Sequence, residues 1–108
     1  MIIADIFEVR KTGSKIIIGF TNPDAEFPMQ SGPEAYQQLV ELVQQHECKV
    51  LVFDIRDIRM LPSSMLGLIA SMSKHVEDLY LYNPTDDVRE VVEVTKLDQL
   101  MELYDGDP

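Results

Sequence analysis

Cysteine is nearly absent from this chain: Cys48 stands alone, which excludes an internal disulfide and fits a reducing compartment. A basic leader, a long apolar run and a lipidation motif are also lacking. The start Met1-Ile2-Ile3 is too short an apolar stretch to act as a signal, so the chain is expected to be soluble and cytoplasmic, without membrane insertion. Cations are scarce, with 9 Lys and Arg against 19 acids and a net charge of −10. No broad basic surface can be assembled from so few, which argues against nucleic acid and against anionic membranes as partners. Acidity of this degree allows a basic protein partner, but the plainer reading, which comes first, is that it keeps a small protein soluble.

Catalytic constellations are missing too. No Cys/His cluster has metal-ligand spacing, and Gly13, Gly19, Gly32, Gly67 and Gly106 are too scattered to make a phosphate loop. His46 and His75 each fall near a predicted helix end, where a histidine complements the helix dipole. Ser64 and His75 would lie on one helix roughly 16 Å apart by its 1.5 Å rise, too far for a nucleophile and base. Asp54 and Asp57 are close enough in sequence for a carboxylate pair or a magnesium site, although an acid ending a strand is more often a turn former. The chain therefore reads as a protein that is not an enzyme and holds no cofactor and no metal.

What is present is a strong alternation of strands and helices. With 108 residues and 45% hydrophobic content, one domain with a real core is expected, placed at residues 1–104 with a short frayed tail at 105–108. Ile2 to Val9 reads as a strand, Lys11-Thr12-Gly13-Ser14 as a turn, and Lys15 to Phe20 as the second arm of a hairpin. Asn22-Pro23 and Phe27-Pro28 mark a loop. Ser31 and Glu34 form a capping box with Pro33 in the first turn, and Tyr36, Leu39, Val40 and Val43 share one helical face. A second helix runs from about Ser64 to His75, and a strand follows at Leu79 to Tyr82. Thr85 caps a third helix whose inner face is Val88, Val91, Val92 and Thr95, and Leu100 to Tyr104 reads as a weak last strand. The expected fold is α/β: a mixed central sheet of about four to five strands with three main helices, in the order β-β-α-β-α-β-α.

The stretch from Val50 to Met72 carries the most information. An apolar strand, Val50-Leu51-Val52-Phe53, ends on Asp54, and after a loop Ser63-Ser64 opens an amphipathic helix. One serine suffices as an N-cap, stabilising the helix by about 1 kcal/mol. The second hydroxyl is spare, and a phosphate on it would sit over unpaired N–H groups at the positive end of the helix. Such a modification would alter a binding surface without unfolding the protein.

These residues resemble the signature of STAS domains, the fold of bacterial anti-sigma factor antagonists. Asp54-Ile55 matches the family's strand end, Ser63-Ser64 its serine pair and Leu66-Gly67 its Leu-Gly. Leu79 to Leu97 resembles the family's last strand, Pro-containing turn, Val-Arg helix and Thr-Gly-Leu ending. The family's phosphorylation site carries over to Ser64. Three positions depart from the pattern: Pro62 replaces Asp, Met65 replaces Gly, and Lys96 replaces the Gly of Thr-Gly-Leu.

The resemblance implies a regulator that binds an anti-sigma factor with serine kinase activity, released when Ser64 is phosphorylated. Asp54, Asp57, Pro62, Ser63, Met65 and Leu66 are the expected partner-binding residues, and the ATP belongs to the partner. The alternative is a STAS scaffold or docking subunit of another ATPase complex, without the phosphate switch. An enzyme or ligand carrier would need a pocket lined by Asp54, Asp57 and Ser64.

Overall fold

The computed structural model describes residues 1–21, 32–56, 58 and 61–108. Six strands form one mixed sheet: β1 (Ile2–Ile3), β2 (Phe7–Lys11), β3 (Lys15–Phe20), β4 (Val50–Asp54), β5 (Asp78–Tyr82) and β6 (Glu102–Tyr104). Their order across the sheet is their order in the chain. The first three strands pair antiparallel, and β3 to β6 pair parallel. Helices α1 (Gly32–Gln45), α2 (Ser63–Ser71) and α3 (Asp86–Val94) make the crossovers. A 3₁₀ turn over Met72–His75 prolongs α2. No described helix is long and apolar enough to cross a membrane.

The expected four to five strands become six because the first one is split. Ala4 and Asp5 both take positive φ, at 51° and 57°, and Ile6 N–H donates back to the Ile3 carbonyl at 3.0 Å. Such a reversal is normally announced by Asn-Gly or Asp-Gly, and Ala-Asp conceals it. The capping serine proposed at Ser31 and the Asn22 to Gln30 loop lie outside the described residues.

Each helix turns its apolar stripe to one core. Ala35, Leu39, Leu42 and Val43 of α1, Met65, Leu66, Ile69 and Ala70 of α2, and Val88 and Val92 of α3 are buried together. Against them lie Ile16 and Ile18, Leu51 and Phe53, and Leu79 and Leu81, the residues that alternation aims at one side of the sheet. Val91 and Thr95, expected on the inner face of α3, are exposed: only the i, i+4 pair Val88 and Val92 reaches the sheet. Cys48 is buried, with its thiol donating to the Val50 carbonyl at 3.1 Å, and burial pushes its pKa up.

Lys96 explains one departure from the family pattern. It follows the C-cap of α3 with φ +61°, a left-handed conformation that glycine adopts without steric cost. Lys96→Gly is expected to raise stability by about 0.5–1 kcal/mol, seen as a higher urea midpoint at unchanged slope.

Candidate functional site

In parallel α/β sheets function gathers where the strands end and the helices begin. Here that end holds a buried ionic cluster beside an exposed serine pair.

Asp54, the last residue of β4, is 3% exposed. A carboxylate so placed must be satisfied by donors, and four reach it. Arg10 Nη1 donates at 3.3 Å and Arg56 Nε at 2.9 Å to Oδ2. The Arg56 backbone N–H (3.2 Å) and Asn83 Nδ2 (3.1 Å) donate to Oδ1. Arg10 gets there through a register shift between β2 and β3 that leaves it opposite no residue. Such a bulge re-aims a side chain. It also needs Gly19, because a Cβ there would collide with the Arg10 guanidinium. Gly19→Ala is expected to fold but to displace Arg10, costing about 1 kcal/mol, with Arg10→Ala adding nothing further in that background. A double-mutant cycle in urea checks this.

The same cluster docks the chain end. Asn83 takes φ 62°, a conformation asparagine tolerates, and its side chain exchanges two bonds with Gly106: N–H to Oδ1 at 2.8 Å and Nδ2 to the carbonyl at 2.7 Å. Arg56 Nη2 bonds Asp107 at 2.9 Å, and Arg89 bonds Asp105 at 3.2 Å. Hydrogen bonds to Asp107 and then Asp54 push the Arg56 pKa above its usual range. Residues 105–107, expected to fray, are therefore held by side-chain bonds. Asp54 is in turn a partner of arginines and an asparagine, and Asp57, the other member of the expected carboxylate pair, lies outside the described residues. No group of His, Cys, Asp and Glu suited to a metal occurs among the described residues.

The serine pair opens α2, but neither serine caps it. Pro62 is the N-cap, its carbonyl accepts from Leu66 N–H at 3.0 Å, and it has no side-chain acceptor to offer. Ser63 and Ser64 thus occupy the first turn, both exposed, and no hydrogen bond ties up the Ser64 hydroxyl. The first N–H groups of a helix lack intrahelical partners and favour negative charge.

Met65 and Leu66, expected at a partner surface, are instead 4% and 2% exposed. The apolar stripe of this helix begins at its third residue, so both side chains turn to the sheet. The surface of α2 is formed by Ser63, Ser64, Gly67 and Leu68, with Pro62 exposed beside it. A shallow groove of about 430 Å³ runs between α2 and the start of α1, with Tyr36, Ser64, Gly67, Leu68 and Lys74 among its lining. Its floor is braced by a bond of 2.7 Å between the Tyr36 hydroxyl and His75 Nε2. His75 is thus a side-chain partner of α1, which no sequence pattern announces. Arg10, Arg56 and Asn83 were likewise illegible, since they meet Asp54 from three separate segments.

Comparison with known proteins agrees with this architecture. SpoIIAA, an anti-sigma factor antagonist solved in its unphosphorylated form, superimposes with a TM-score of 0.73 at 16% identity, over 94% of this chain and 86% of that one. Bacillus SpoIIAA in its phosphorylated form gives 0.70 at 16% identity, over 94% and 91%. A STAS domain protein from Planctomyces limnophilus gives 0.75 at 15% identity, over 94% and 91%. At such identities these structures speak for the fold. No curated protein matches the chain. A family model, by contrast, matches residues 8–106, from β2 through the docked chain end, and on that match the chain belongs to the STAS domain family.

Proposed function

We propose that this protein is an anti-sigma factor antagonist-like regulator. In this reading it binds, in the cytoplasm, an anti-sigma factor with serine kinase activity, and phosphorylation of Ser64 switches that binding. The observation that carries the reading is Ser64 itself, exposed at the start of α2 with a hydroxyl that no hydrogen bond occupies. A kinase can reach such a hydroxyl, and the resulting phosphate would lie over the helix N-terminus without a clash of charge from within the helix, whose first turn holds no acid. The solved SpoIIAA forms, one unphosphorylated and one phosphorylated, support a fold compatible with both states.

In this reading Pro62, Ser63 and Ser64 touch the partner, while Met65 and Leu66 hold the helix in place from below. Asp54 acts through the same framework by fixing the strand end and Arg56. The protein is a binding module and carries out no chemistry of its own.

One observation favours the alternative of a STAS docking subunit without a switch. Pro62 caps α2 with no side-chain acceptor, at the position where the family pattern has Asp. Affinity capture from native extract separates the two, using wild type and Ser64→Asp with mass spectrometry of the partners and of the Ser63-Ser64 peptide. The switch predicts a kinase-type partner on wild type alone and phosphate on Ser64. The same partner on both forms, with Ser64 never modified, selects the docking subunit.

A further inference from the structure

Among the described residues, the second face of the sheet has no helix on it. A right-handed crossover that always moves to the next strand in the same direction places every helix on the same side, and the strand order here is sequential throughout. The buried residues of α1, α2 and α3 accordingly join a single core. Parallel sheets are ordinarily covered on both faces. Here the described helices cover the parallel strands β3 to β6 on one.

That open face is not polar. Strand alternation and register place Ile17, Val52 and Tyr80 side by side in its middle row. Val52 is fully buried yet takes no part in the helix-side core. Nearer the C-terminal strand ends stand Tyr82 and Tyr104, stacked with ring centroids 5.4 Å apart. Tyr104 is 43% exposed.

Charge divides the face into two halves. Lys11 and Lys15 lie on the β2–β3 side, with one acid, Glu8, nearer the C-terminal end of β3. Asp78 and Glu102 lie on the β5–β6 side. In register, Lys15 is level with Val50 and Asp78, while Lys11 is level with Ile17, Val52, Tyr80 and Glu102. Each pair of opposite charges is therefore placed symmetrically about β4.

We infer that this open sheet face is the self-association surface of the protein, with a second copy of the chain stacked on it about a two-fold axis parallel to β4. The symmetry makes the match. Rotation about that axis lays the β2–β3 side of one copy over the β5–β6 side of the other. Lys11 then meets the second copy's Glu102, and Lys15 its Asp78. Ile17 meets Tyr80 on either side of the axis, above Val52, which its own neighbours already bury. Arg10, lying over Gly19, comes opposite the ring of Tyr82, a cation–π arrangement. The two lysines and two acids of these rows find their opposites, while Glu8, in the row of Gly19, faces the second copy's Tyr104; an unrelated partner would need its own matching pattern.

The size of the face sets the strength. Five strand spacings of about 4.8 Å and five residues of about 3.3 Å give roughly 400 Å² per copy. The total, about 800 Å², lies below the range of stable specific interfaces, so the dimer is weak and concentration-dependent. It leaves Ser64, the groove and α2 on the opposite side.

Sedimentation equilibrium tests this with the full chain. Wild type should show a monomer–dimer equilibrium that weakens at high salt. Lys11→Glu with Lys15→Glu, and separately Asp78→Lys with Glu102→Lys, should each weaken self-association at least about ten-fold. An equimolar mixture of the two double variants should regain wild-type affinity, since each edge again meets its opposite. Tyr80→Ala should abolish the dimer without charge change. Circular dichroism confirms folding of every variant. Monomeric wild type at the highest attainable concentration overturns the inference and leaves the face to an unrelated partner. So does a dimer unaffected by these charge reversals, or two double variants that fail to restore each other.

Discussion

Asp54→Ala is expected to lower the melting temperature by about 8–15 °C, the largest change from any single polar residue of this protein. The substitution removes a buried acceptor and strands four donors, from Arg10, Arg56 and Asn83. Had the arginines been buried as well, a loss of about 3–5 kcal/mol would follow. Their side chains are 38% and 42% exposed and regain water, so the loss should be about 2–3 kcal/mol. For a domain of this size each kcal/mol moves the melting temperature by about 4–5 °C. The chain end should loosen at the same time, because Arg56 and Asn83 also hold residues 106 and 107. Thermal circular dichroism gives the first effect and amide exchange at Gly106 the second. A shift under about 2 °C would show that the arginines and asparagine re-solvate without loss.

Ser64→Asp is expected to weaken capture of the partner at least ten-fold, about 1.4 kcal/mol, while Ser64→Ala binds like wild type and resists release by phosphorylation. Neither should unfold the domain. The Ser64 hydroxyl makes no bond whose loss Ala would register, so its stability should stay within about 0.5 kcal/mol of wild type. Asp adds charge to the first turn of a helix that holds no acid there, which is mildly favourable. A change in binding with unchanged melting therefore reports the surface and not the fold. Titration of the captured partner with both variants decides it: equal affinities for Ala and Asp would end the switch reading.

Periodicity made the helices and the parallel strands legible, since apolar spacing is a local property of the chain. Leu39 and Val43 on α1 and Val88 and Val92 on α3 face the core as their spacing requires. Thr85 caps α3 as expected, accepting from Val88 N–H at 3.3 Å. The turn at Ala4-Asp5 was hidden because neither residue advertises positive φ. The site was half legible. The serine pair and Asp54 stand out in sequence, but the partners of Asp54 come from positions 10, 56 and 83, joined only by a bulge, a glycine and a left-handed asparagine. The apolar residues of α2 also misled, since Met65 and Leu66 sit beside the serines in sequence and beneath them in space.

The sequential strand order bears on how the protein folds. Every strand pairs with the one before it in the chain, so no strand has to wait for a later, non-neighbouring strand. The parallel pairs still join distant residues, Lys15 with Val50 and Val50 with Asp78, so each crossover must close a long loop before its strand is added, which slows folding. The sheet can grow outward from the β2–β3 hairpin one crossover at a time, and β6 joins last. Its three residues bring little pairing of their own. The bonds from Asn83 and Arg56 to residues 106 and 107 then act as a closing latch on an already formed sheet. Ribosomal synthesis releases the strands in the same order, so the nascent chain can assemble most of its sheet before its last residues emerge.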